Sequence, residues 1–78
     1  MPVYHYTAVF EPAEEGGYIV TVPALVGLVT EGDTLEEARA MVKDAVRGFI
    51  ESLRKHGEEI PVEPSPATLE SVDVEVEI

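Results

Sequence analysis

The stretch VTEGDTLEEARAMV, residues 29–42, decides how this chain folds. Two β-favouring residues lead into a glycine and an acid, and a helical pattern starts at once. Asp33, Glu36 and Glu37 crowd together inside it. One reading is a site for Mg²⁺ or Ca²⁺, which take carboxylate oxygens. The other is an elbow between a strand and a helix. Thr34 precedes Glu37 by the spacing of a capping box: the threonine oxygen accepts from a free backbone N–H, and the glutamate reaches back to the cap's own N–H. Glu36 and Glu37 also lie at the positive end of the helix dipole. Ca²⁺ takes about six or more oxygens, and no loop with EF-hand spacing is present. Capping and the dipole account for all three acids.

Downstream, Leu35, Ala38, Val42, Ala45, Val46, Phe49 and Leu53 recur at three- and four-residue steps, which makes one apolar stripe along a helix. Gly57 suits the C′ position, and Arg54, Lys55 and His56 suit the negative end of the dipole. The helix then covers about 22 residues, roughly 33 Å. Arg39, Lys43, Arg47 and Arg54 share one narrow helical face. A nucleic-acid site would add interleaved aromatics, and none stand there. The spacings Glu36–Arg39, Asp44–Arg47, Arg47–Glu51 and Glu51–Lys55 instead fit intrahelical pairing on a solvated face.

Upstream, VYHYTAVF (3–10) is rich in β-branched and aromatic residues and reads as a strand. EPAEEGG is a turn, and YIVTV (18–22) is a second strand that Pro23 ends. A third short strand is expected around Leu28 to Thr30. After the helix, Pro61, Pro64 and Pro66 stiffen the connector. The chain closes on VDVEVEI, where Val72, Val74, Val76 and Ile78 alternate with Asp73, Glu75 and Glu77. Strict period two predicts a strand with one buried and one wet face, its acids discouraging edge-to-edge aggregation. The order is β-β-β-α-β, a two-layer α+β sandwich in one domain, 1–78.

At 78 residues and without cysteine, the domain buries a modest core and has no disulfide to supplement it. Homo-oligomerisation, as dimer or tetramer, is the remaining supplement. The net charge is -11, and all five bases lie between Arg39 and Lys55. The flanks 1–34 and 57–78 hold the other twelve of the acids and no Lys or Arg. Such a surface repels nucleic acid and anionic membranes and attracts a basic protein. The N-terminus has no basic n-region followed by an apolar run, and no stretch reaches a membrane span, so a cytoplasmic location is expected. The absence of Asn, Gln, Cys and Trp fits a thermophilic source. No phosphate-binding glycine motif appears, and His5, His56, Ser52, Ser65 and Ser71 form no nucleophile motif. No catalytic, cofactor or metal residue is therefore named. Two alternatives remain: a relic metal-dependent nuclease using Asp73, Glu75 and the helix start, and an orphan self-associating scaffold or ligand-binding module.

Four elements also stand in a fixed order: Gly17–Tyr18; Pro23, Leu25 and Gly27; Thr30, Gly32, Asp33, Thr34, Glu36, Glu37 and Ala38; then Gly57, Ile60 and Pro61 with Pro64. In that order the chain resembles the HicB-like antitoxins, the antitoxin half of HicA–HicB toxin–antitoxin pairs, over about residues 4–64. The resemblance implies a β-β-β-α-β, partial ribonuclease H-like fold without catalytic carboxylates. It implies a non-enzymatic domain that masks the active site of a small basic mRNA-cleaving toxin of the HicA type. Charge then nominates Glu31, Asp33, Glu36, Asp73, Glu75 and Glu77 for partner binding. Ala24 stands where the family often has an acid, and Val26 where it often has proline. Full-length HicB antitoxins carry a C-terminal DNA-binding domain. This chain resembles a short form without it, from which no direct nucleic-acid binding and no operon repression is expected.

Overall fold

Strand-forming residues flank the EPAEEGG turn and close a hairpin. The computed structural model describes residues 3–63, 65 and 67–77. Strand β1 (Val9–Pro12) pairs antiparallel with β2 (Tyr18–Thr21), and β2 pairs antiparallel with β3 (Val29–Gly32), in the sheet order β1-β2-β3. Helix α1 (Leu35–Lys55) follows and packs on β3 and β2. The fold is α+β, with the order β-β-β-α.

The first strand begins at Val9, not at Val3. Val9 pairs with Thr21, the last residue of β2. Beyond Thr21, Pro23 has no N–H for a ladder. Two turns then carry the chain away, through Leu25 N–H to the Val22 carbonyl (2.9 Å) and Leu28 N–H to the Leu25 carbonyl (3.1 Å). Val3–Ala8 are thus left without a strand to pair with. The connector after α1 takes that place locally. Tyr6 Oη donates to the Pro61 carbonyl (2.6 Å), the Thr7 N–H to Glu63 Oε1 (2.9 Å) and Thr7 Oγ1 to Glu63 Oε2 (2.8 Å).

Thr34 caps α1: its Oγ1 accepts from the Glu37 N–H at 3.0 Å. Among the described residues Glu37 makes no return bond, so half of the capping box forms. At the other end the Gly57 N–H bonds the Arg54 carbonyl (3.1 Å) and the Glu58 N–H bonds the Leu53 carbonyl (2.9 Å). That pair of bonds is a Schellman motif. It needs the left-handed φ of +66° that Gly57 adopts.

Val20, Val22, Leu25, Leu28, Ala38 and Val42 form the core, and Phe10, Tyr18 and Phe49 pack against it. Leu25 is 1 % exposed although it lies in a turn, so the Pro23–Gly27 loop plugs the core. Ile50, outside the stripe expected from sequence, is buried as well, one turn beyond Val46. Of the four ion pairs expected on the helix, only Arg47–Asp44 closes among the described residues, at 3.7 Å with both side chains exposed. Held in water, such a pair contributes little.

The terminal strand does not form in the single chain. Val72, Val74 and Val76 are 73 to 77 % exposed, and residues 71–77 pair with no strand. Their alternation specifies an amphipathic strand, but α1 packs chiefly on β3 and β2. Among the described residues no strand pairs with residues 71–77. Pro64 and Pro66 of the connector and Ile78 of the terminal stretch lie outside the described residues.

Candidate partner-binding face

Strand pairing sorts the sheet residues onto two faces. Phe10, Val20 and Thr30 are cross-strand neighbours, as are Pro12, Tyr18 and Gly32. Val20 and Gly32 are buried, which sets these rows beneath α1. The alternate rows, Glu11–Ile19–Glu31 and Val9–Thr21–Val29, therefore lie on the opposite face. No helix covers that face. Ile19 and Val29 are exposed there, Val29 at 63 %. They stand beside the Glu11 and Glu31 carboxylates, and no basic residue lies on these strands. The arrangement offers apolar contact area bordered by negative charge.

The elbow continues this surface. Asp33 follows β3 and Glu36 lies in the first turn of α1, both exposed. Its shape comes from backbones in close approach. A Cβ on Gly32 would lie 2.5 Å from the Ala38 nitrogen, and one on Gly17 would lie 2.6 Å from the Gly32 carbonyl oxygen. Hairpin turn, strand end and helix start therefore stack with no side chain between them. The glycines and the small Ala38 of the opening stretch serve this contact.

Of the six acids named from sequence, Glu31, Asp33 and Glu36 share this region. Asp73, Glu75 and Glu77 sit on the extended terminal segment, exposed and without a hydrogen bond to the rest of the described residues. Glu11, Ile19 and Val29 went unnamed. Placing Val20 inward would have turned Ile19, its neighbour along the strand, outward. Among the described residues no three His, Cys, Asp or Glu side chains are arranged to hold a metal ion. Asp73 and Glu75 are thus not assembled with the helix-start acids as the nuclease reading requires. His56 Nδ1 bonds the Ser52 carbonyl at 2.7 Å, a helix-end contact. The Glu63 carboxyl is held below the usual glutamate range by its bonds from the Thr7 N–H and hydroxyl, with smaller help from His5 and the Ala67 N–H against some desolvation. Partial burial, and then Tyr4, raise the Tyr6 phenol. Among the described residues no helix is long and apolar enough to cross a membrane.

A three-stranded sheet with one helix on one face and an open acidic face opposite defines a small two-layer α+β protein. Residues 6–77 match the family model described as the HicB-like antitoxin of bacterial toxin–antitoxin systems, and the chain belongs to that family. It is 50% identical to the UPF0150 protein Ta0767 of Thermoplasma acidophilum over 56 residues, 72% of this chain and 81% of the relative. It is 40% identical to Antitoxin HicB 1 of Photorhabdus laumondii over 73 residues, 94% of this chain and 46% of the relative. It is 34% identical to Antitoxin HicB of Escherichia coli K12 over 71 residues, 91% of this chain and 51% of the relative. The chain thus spans about half the length of these two relatives that are named antitoxins.

Proposed function

We propose that this chain is a single non-enzymatic antitoxin domain that binds and occludes a small basic mRNA-cleaving toxin of the HicA type. It acts in the cytoplasm, as a homo-oligomer, without cofactor and without touching nucleic acid itself. The segregation of charge carries the reading. The bare sheet face presents Glu11 and Glu31 beside Ile19 and Val29, and Asp33 and Glu36 stand at the elbow that follows β3. Every Lys and Arg of the chain lies on α1. Complementary charge steers a basic protein onto that face, and an apolar centre inside a polar rim is how specific interfaces hold once formed. Occlusion then needs no chemistry from this chain. A carboxylate surface laid over a toxin's RNA-binding groove excludes the phosphates that would otherwise bind there.

The test is co-expression with a small basic toxin of the HicA type. The pair should co-purify at low salt, and toxin activity on RNA should fall in proportion to complex formed. A toxin that elutes alone at low salt, or stays active when bound, sinks the reading. Mg²⁺- or Mn²⁺-dependent cleavage by this chain that Asp73→Asn abolishes would favour the nuclease instead.

A further inference from the structure

The flank of β1 is open. Because α1 rests on β3 and β2, a groove runs between Val3–Phe10 and the helix, floored by Phe10, Val42, Val46 and Ile50 and walled by Tyr4. Its helix side carries Arg39, Lys43, Arg47 and Arg54. Only Arg47 has an ion-pair partner among the described residues. An apolar trough bordered by these four bases, with Glu51 the one acid in its lining, fits a segment that is apolar on one side and anionic overall.

The chain carries such a segment. Residues 71–77, SVDVEVE, alternate exposed valines with acids and include no base. In the single chain these residues do not enter their own groove, since Val72, Val74 and Val76 stay exposed. The connector bonds Tyr6 from Pro61, then Thr7 from Glu63 and Ala67. It therefore runs in the same direction as Tyr6–Thr7. The segment projects outward: the radius of gyration is 15.4 Å, against about 11.5 Å for a compact chain of this length. The bases that border the groove on α1 favour the approach of an anionic segment.

We propose that residues 71–77 of one copy add as a strand along the β1 flank of a second copy, with Val72, Val74 and Val76 turned into its groove. The exchange is reciprocal and closes a two-fold dimer. Strand addition satisfies the free edge. It also turns Asp73, Glu75 and Glu77 to the face that carries Glu11 and Glu31, because alternate residues of a strand face opposite sides. Three acids stranded in the single chain thereby join the partner-binding face. The inference rests on the self-association part of the proposed function and not on the toxin.

The full chain is examined by sedimentation equilibrium, beside Val74→Asp/Val76→Asp, whose changes fall on side chains that are exposed in the single chain. The parent should show about twice the 8.5 kDa of one chain. The variant should associate at least about a hundredfold more weakly, since each valine kept from burial forfeits about a factor of ten or more. An 8.5 kDa parent at millimolar concentration overturns self-association and the exchange together. An unchanged mass in the variant overturns the exchange alone. With no native cysteine to interfere, a Tyr4→Cys chain is mixed with chains bearing Val72→Cys, Val74→Cys or Val76→Cys and oxidised. A disulfide between chains in at least one mixture is expected. None in any mixture, or a bridge only within a doubly substituted chain at high dilution, overturns the proposal.

Discussion

Gly32 and Gly48 are both helix-proximal glycines, yet they should respond oppositely to the same change. A Cβ on Gly32 would meet the Ala38 backbone at 2.5 and 2.7 Å, whereas one on Gly48 meets nothing within 4 Å. Gly32→Ala must displace α1 and should cost about 2 kcal/mol or more. Gly48→Ala, in mid-helix, should gain up to about 1 kcal/mol by removing unfolded-state freedom. Urea midpoints at constant slope measure both, and a neutral Gly32→Ala would remove the strand–helix contact from the explanation. Glu63 makes a second case. Its folded pKa is depressed by donors on Thr7. The tether therefore contributes above the ordinary glutamate pKa and is lost as pH falls through the lower folded value. The Thr7 amide resonance should titrate with a midpoint below that of an exposed glutamate, and the step should vanish in Glu63→Ala. An ordinary midpoint would mean the tether is absent in solution.

The helix is the element whose ends are chemically marked. Thr34→Ala removes one N-cap bond and should cost about 1 kcal/mol in thermal or urea unfolding, with no divalent-ion affinity to lose. Ion binding that disappears in Asp33→Asn would reopen the metal reading of the elbow. α1 was readable from sequence because capping, period and Schellman signals are local: Thr34, the Leu35–Leu53 stripe and Gly57 each act on their own few residues. Strands lack that independence. Val3–Phe10 has the composition of a strand throughout, yet only the part opposite Tyr18–Thr21 finds a ladder. The Val72–Glu77 alternation states a two-faced strand without stating whose sheet it joins. The site divides on the same line. Glu31, Asp33 and Glu36 follow from charge and sequence position. Glu11, Ile19 and Val29 share a face only through cross-strand register, which no single stretch encodes.

Across the molecule every base lies on α1, together with Glu36, Glu37, Asp44 and Glu51, whereas the charged side chains of the strands are all acids. The acids of β1, β3 and the elbow face away from α1 or sit at its start, and the five bases are strung along the helix. A net charge of -11 resists compaction and self-association. Salt should therefore act in opposite senses on stability and on partner capture. Screening relieves repulsion among acids within the chain, while it weakens steering of a basic protein toward it. Glu11→Lys/Glu31→Lys separates the two effects. Both side chains are exposed and make no hydrogen bond or ion pair among the described residues, so unfolding should hold steady or improve slightly. Association with the basic toxin should slow about tenfold or more at low ionic strength, with the difference fading near 1 M salt, where the screening length falls to about 3 Å. Stopped-flow association rates at several salt concentrations read this directly. Equal rates for parent and variant at low salt would move the interface off the sheet face and onto another surface of the chain.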